Sequence, residues 1–188
     1  MSPVSEADQA VESALRDRLA HERAGEAVLG EEEGGDDASG WILDPIDGTR
    51  NYTRRIPVWA TLIAYANRVA VVSAPALGRR WWAERGAGAF VNGEPIHVSG
   101  IARLEDATVL VALDRPPAPR AFAAWHLRGL GDFWAHMLVA EGAAEVALDA
   151  PGLKVWDWAP LKVIVEEAGG RHEQSTSWNG SLDVSALL

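Results

Sequence analysis

Apolar side chains recur at helical spacing over residues 5–22, where Ala7, Val11, Ala14, Leu15 and Leu19 fall on one face and predict an amphipathic helix. A loop rich in glycine and acid, Gly25 to Gly40, interrupts the pattern. Beyond it the period shortens. Residues 41–44, 58–66 and 69–74 read as strands, 80–84 as a Trp-rich strand, and Asn92-Gly93 as a hairpin turn. Residues 109–113 read as a further buried strand. Pro116-Pro117-Ala118-Pro119 breaks the chain before a helix candidate. Residues 132–143 and 157–168 read as helices, with a short strand at 144–148 between them. With no internal repeat, low-complexity segment or linker, one domain over residues 1–188 is expected. Strand and helix runs mixed in this order predict an α/β or layered α+β fold.

Composition narrows the function classes. A chain of 188 residues is long enough for a substantial core. A formal charge of −10 argues against a nucleic-acid or anionic-membrane partner. The absence of cysteine removes disulfides and thiolate zinc sites. No apolar run approaches a membrane span and no signal-peptide pattern opens the chain, so a soluble, cytoplasmic protein is expected.

The chemistry concentrates in Trp41-Ile-Leu-Asp-Pro-Ile-Asp-Gly-Thr-Arg-Asn-Tyr52. A strand-like run feeds into Asp44 and Asp47, and Gly48-Thr49 then turns the chain. Paired carboxylates are hard ligands suited to Mg²⁺, which binds a few of them together with substrate phosphate oxygens. Backbone N–H groups at Gly48 and Thr49 could face a phosphate at a helix start. Taken singly, Asp-Pro and Asp-Gly are ordinary turn punctuation.

Asp44-Pro-Ile-Asp-Gly-Thr-Arg-Asn resembles the signature of the inositol monophosphatase superfamily of Mg²⁺-dependent, Li⁺-sensitive phosphatases. Two further family motifs stand in the family's order, Gly30-Glu31-Glu32 before it and Trp156-Asp157 to Gly170 far downstream. The resemblance implies stacked α-β-α-β-α layers in a compact version, two to three Mg²⁺ ions, and a small phosphate monoester as substrate. It implies Asp44 bridging two ions with the Ile46 carbonyl completing a shell, and Asp47 on a second ion and near the substrate. Glu31 would bind metal and activate the attacking water, and Asp157 would reach a metal from the opposite side. Gly48 and Thr49 would hold the phosphate, and water would attack directly without a phosphoenzyme. Bound cations would also reverse the local sign of an acidic chain that must receive an anion.

Several of these residues carry a plainer reading beside the functional one. Asp157 suits a helix N-cap. Ser5-Glu-Ala-Asp8 resembles a capping box, whereas the family reading has Asp8 orienting the Thr49 hydroxyl. Most acids of the 31–37 loop read as solvated. Gly131-Asp132-Phe133, three residues after Arg128, and Arg79-Arg80-Trp81-Trp82 resemble the histidinol-phosphatase branch of actinobacterial type. Arg–Trp stacking is the plainer account of the latter. Asp47, Arg128, Asp132 and Asp149 are the expected substrate contacts, with Asp149 a candidate for a substrate ammonium. Most of the five histidines read as surface or packing residues. L-histidinol phosphate is the leading substrate, and an inositol or sugar phosphate or a shortened non-catalytic paralogue are the rivals. The helix that usually precedes Ser2–Asp8 is missing, residues 113–128 and the tail after Gly170 look abbreviated, and a homodimer stays open.

Overall fold

Alternation of small apolar and outward residues builds a seven-stranded sheet whose strands lie in chain order. They are β1 (Val28–Gly30), β2 (Trp41–Asp47), β3 (Ala60–Tyr65), β4 (Val69–Ala74), β5 (Arg79–Glu84), β6 (Gly88–Val91) and β7 (Glu94–Ile96). β1 and β2 are parallel, and every later neighbouring pair is antiparallel. The computed structural model describes residues 5–35, 37–112, 121, 123–185 and 187. Ala60, Leu62 and Ala64 of β3, Ala70, Val72 and Ala74 of β4, and Trp81 and Ala83 of β5 all turn to the same buried face. Their mostly small side chains let a helix approach closely. Asn92 and Gly93 both take positive φ, as a two-residue hairpin turn requires.

Among the described residues, four α-helices accompany the strands: α1 (Glu6–Glu22), α2 (Thr49–Thr53), α3 (Asp132–Ala140) and α4 (Val155–Glu167). The second sheet joins β8 (Thr108–Val111), β9 (His126–Gly129), β10 (Val146–Leu148), β11 (Arg171–Glu173) and β12 (Thr176–Trp178) in the order β11-β12-β10-β8-β9. α3 and α4 lie between the sheets. Phe133, Met137, Leu161 and Ile164 pack on the first sheet, while Ala135 and Val139 meet Leu110 and Ala147 of the second. The outer face of the second sheet is closed, among the described residues, by Ala121, Leu182, Val184 and Leu187. Burial on both faces explains why β8 and β10 read as continuous apolar runs. The fold is mixed α/β with two sheets and interleaved helices, as the pattern predicts.

The structure departs from the sequence pattern in three places. The Ala7–Leu19 stripe of α1 is only half-buried, with Ala14 exposed, and the residues fully buried on this helix are Asp8 and Glu12. These acids face the loop and turn that carry the site, where their partners are. The segment 126–129, which the sequence pattern leaves unassigned, is strand β9, paired with β8. Leu113 and the patch itself lie outside the described residues. Three short strands, β1, β11 and β12, went unpredicted because three residues are too few to show a period. Among the described residues, no helix is long and apolar enough to cross a membrane.

Candidate active site

Two acids three positions apart on a regular strand point to opposite faces. In β2 the pairing with β3 slips between Asp44 and Asp47, and such a bulge re-aims side chains. Pro45 has no N–H to give the ladder, and Thr61 Oγ1 donates to its carbonyl at 2.8 Å. Both carboxylates therefore face one volume. Gly48 then turns with φ +83°, where a Cβ would stand 3.0 Å from the Val58 carbonyl oxygen. That turn delivers Thr49 as the first residue of α2.

Asp157 joins them from α4. One oxygen each of Asp44, Asp47 and Asp157 lie within 4.8 Å of one another. Asp157 is the third residue of its helix rather than the N-cap, and its Oδ2 accepts the Lys154 N–H at 2.5 Å. Glu31, directly after β1, is hydrogen-bonded carboxyl to carboxyl with Asp44.

Burial and mutual repulsion resist ionisation throughout this group. Burial first, then Asp157 and Glu32, push Glu31 up to about 7. Asp44 is held well above the usual carboxylate range by burial, then by Asp47 and Glu31. Burial and Asp132 do the same to Asp47, against the pull of the Phe133 N–H. Asp157 rises chiefly through burial. Asp44 Oδ1 is buried and has no hydrogen-bond partner, which is costly for an acceptor. An orphaned oxygen within a converging set of carboxylates fits a divalent cation with a preference for oxygen. Glu31, Asp44, Asp47 and Asp157 would hold it, with the carbonyl of Ile46 at hand. That carbonyl already accepts the Thr49 hydroxyl at 2.9 Å and keeps one lone pair.

The two readings of Asp8 turn out to be compatible. Its Oδ2 accepts the N–H and hydroxyl of Ser5 in a capping box, while its Oδ1 lies 3.4 Å from Thr49 Oγ1. Glu12 is a residue that the sequence reading missed. Wholly buried, it accepts the N–H groups of Glu32 and Glu33 at 2.8 and 3.1 Å and the Arg16 Nε–H at 2.9 Å. It thereby sets the loop that presents Glu31. A Glu four residues after Asp8, on the same face of a helix, was the available signal. Glu12→Gln turns an amide donor toward those N–H groups, so a loss of about 1–3 kcal/mol is expected in urea unfolding. Turnover should fall with it as Glu31 loses its seat, and an unchanged kcat would separate Glu12 from the site.

Of the expected substrate contacts, Asp132 and Asp149 lie close enough to Asp47 to add to burial in pushing its carboxyl up. Asp132 begins α3 with left-handed φ +55°, and its Oδ2 lies 3.4 Å from Asn51 Nδ2. The next N–H, of Phe133, donates to Asp47 Oδ2 at 2.6 Å. Asp149 is mostly held from inside: its Oδ1 accepts the Ala150 N–H at 2.7 Å and its Oδ2 lies 3.4 Å from His136 Nε2. Arg128 sits exposed on β9 and donates to the Leu127 carbonyl, and it forms no ion pair with the acidic cluster. In the Arg-Arg-Trp-Trp run, Arg79 pairs with Glu141 and lies 5.3 Å from the centre of the Trp81 ring, while Trp81 Nε1–H donates to Glu141 at 2.6 Å. That run ties β5 to the end of α3. His136 and His172 lie in the interior, in keeping with a packing role, and Ser177 bridges them.

Known proteins agree with this geometry. The profile of the inositol monophosphatase family matches residues 1–185. A histidinol-phosphatase of Mycobacterium tuberculosis is 47% identical over 192 residues, covering 91% of this chain and 74% of its own. A second, from Streptomyces coelicolor, is 43% identical over 194 residues, with 90% and 73% covered. The solved inositol monophosphatase of Thermotoga maritima superposes with a TM-score of 0.83 at 29% identity, covering 95% of this chain and 79% of that one. The chain thus spans about three quarters of the length of these two relatives. With its signature turn, converging acids and layered fold all in place, the chain belongs to the inositol monophosphatase family and is a phosphoric monoester hydrolase.

Proposed function

We propose that this enzyme hydrolyses L-histidinol phosphate with the help of Mg²⁺, as a step of histidine biosynthesis. The observation that carries the metal dependence is the orphaned Asp44 oxygen among converging carboxylates. Similarity to two histidinol-phosphatases and an additional acid, Asp132, beside Asp47 support the substrate. Two to three ions would be held by Glu31, Asp44, Asp47, Asp157 and the Ile46 carbonyl, with Li⁺ inhibitory. When bound, such cations lower the pKa of water and offset charge on the phosphoryl and leaving oxygens.

The chain's own residues do the rest. Glu31, hydrogen-bonded to Asp44 beside the converging acids, is the carboxylate that would accept a proton from the attacking water. Thr49 is oriented for that water by Asp8 and the Ile46 carbonyl. The N–H groups of Gly48 and Thr49, at the start of α2, would hold the phosphate. In this reading the enzyme is cytoplasmic and needs neither nucleic acid nor membrane.

Asp132 reads the alcohol. A carboxylate facing a substrate ammonium is worth roughly 1.5–3 kcal/mol, on the order of 10- to 100-fold in kcat/KM. Asp132→Asn should therefore erode hydrolysis of histidinol phosphate by that factor more than hydrolysis of an inositol phosphate. Assay of both substrates with and without Mg²⁺ tests the whole proposal. A wild-type preference for inositol phosphate favours the rival alcohol, and equal losses in Asp132→Asn reduce that residue to a helix-start acid.

A further inference from the structure

Behind the site runs a buried chain of polar groups with no part in the chemistry above. His136, on α3, is fully buried. Its Nδ1 lies 2.8 Å from Ser177 Oγ, and that oxygen lies 2.7 Å from Nδ1 of His172. Nε2 of His172 lies 3.0 Å from the Gln174 carbonyl oxygen. At the other end, Nε2 of His136 lies 3.4 Å from Asp149 Oδ2.

Donors and acceptors along this chain can be assigned in only one direction. The Gln174 carbonyl only accepts, so His172 carries its proton on Nε2. Burial, with the neighbouring His136 and Lys162, pushes His172 down to about 3, so the ring is neutral and its Nδ1 is bare. The single hydroxyl proton of Ser177 must then go to His172. Ser177 Oγ can only accept from His136, which places a proton on His136 Nδ1. A neutral His136 would turn a bare Nε2 toward a carboxylate, lone pair against lone pair. Only a second proton, on Nε2, would make that contact a hydrogen bond and an ion pair. The state of Asp149 agrees: burial raises it, but the hydrogen bond and charge of His136, with the N–H groups of Ala150 and Asp132, outweigh burial and hold it below its ordinary value.

The Asp132 N–H connects this chain to the site. Asp149 accepts from the backbone of the residue that opens α3 in a left-handed conformation, which a non-glycine adopts only when its surroundings hold it. Immediately after it, the Phe133 N–H grips Asp47.

We propose that His136, kept doubly protonated by Ser177 and His172, is a positioning residue for substrate choice: it fixes Asp149, which pins the Asp132 backbone so that the Asp132 carboxylate meets a cationic aminoalkyl phosphate. This rests on Asp132 reading the alcohol, as argued above. His136 acts only through Asp149 and Asp132 and touches neither phosphate nor cation.

Two readouts test it. In ¹⁵N-histidine NMR of the metal-free protein at neutral pH, both ring nitrogens of His136 should appear protonated. In Ser177→Ala, where Nδ1 loses its acceptor, only one should. A singly protonated His136 in the wild type overturns the proposal whatever the kinetics. The second readout is the ratio of kcat/KM for histidinol phosphate to that for glycerol 2-phosphate. His136→Gln should lower this ratio about tenfold, the size of one charge-assisted contact, and leave turnover of glycerol phosphate nearly intact. On an Asp132→Asn background the same substitution should leave the ratio unchanged. Equal losses on both substrates, or additive losses in the double variant, overturn the positioning role. If His136→Gln does not fold, Ser177→Ala should shift the ratio in the same direction, and an unchanged ratio there is equally decisive. A wild-type ratio near one brings down the substrate reading itself, whereas a high wild-type ratio untouched in His136→Gln brings down only this inference.

Discussion

Asp47→Asn is expected to remove nearly all turnover and leave a folded protein that is at least as stable as the wild type without metal. Asparagine keeps the shape and can still accept the Phe133 N–H that Asp47 Oδ2 now takes at 2.6 Å. It withdraws one negative charge from the set that lies within 4.8 Å. Charge stabilisation by a bound cation is worth several kcal/mol, so a loss on the order of a thousandfold in kcat is expected at saturating Mg²⁺. In the metal-free protein the same change relieves a carboxyl that burial and Asp132 already hold well above its ordinary range. Activity and metal-free stability should thus move in opposite directions, which a folding defect cannot imitate. Glu31→Gln should also lose turnover. Glu32→Gln should be nearly silent, because Glu32 is raised by burial, Asp8 and Glu12 and not by the Asp44 group. The reverse result for that pair would put the metal-facing acid one residue later.

Metal-free protein should melt at progressively lower temperature as pH rises from about 5 to 8, and Mg²⁺ should reverse the trend. Glu31 titrates near 4.5 unfolded and near 7 folded. A carboxyl raised on folding contributes stability below its unfolded value and loses that contribution as pH climbs through its folded one. Asp44, Asp47 and Asp157 are raised in the same sense. Asp149 has the opposite sign and favours the fold as pH rises from the acid side. Protons and cations compete for the same oxygens, so the Mg²⁺ increment should grow with pH. At 100 times its dissociation constant, Mg²⁺ adds about 2.7 kcal/mol. For a chain of this length that is roughly 5–10 °C in Tm. Chelator should abolish the increment. A melting curve indifferent to Mg²⁺ at concentrations that support turnover would count against the clustered site.

Much of this protein is legible locally. The alternating runs of β3, β4 and β5 declare themselves because each buries one face, and period follows from burial. The turn at Asp44–Thr49 is equally plain, since Pro45 and Gly48 are the residues its backbone demands. The α1 stripe misled because the helix buries charge instead of apolar surface. Apolar periodicity cannot register a Glu12 whose partners are backbone N–H groups twenty residues away.

The amino-acid sequence by itself determined the fold class, the order of the long elements, the signature turn and the identity of the acids able to bind a cation. These depend on short-range periodicity and on side-chain type. Only the tertiary structure decided which acids converge, through a bulge that brings Asp44 and Asp47 to one face and a helix start that carries Asp157 to them. It alone joined His136 on α3 to His172 and Ser177 on the second sheet, and seated Phe133 on Asp47. Such contacts span 41 and 86 residues and leave no periodic trace, because their energy comes from hydrogen bonds made in a desolvated interior that exists only once the sheets and helices have packed.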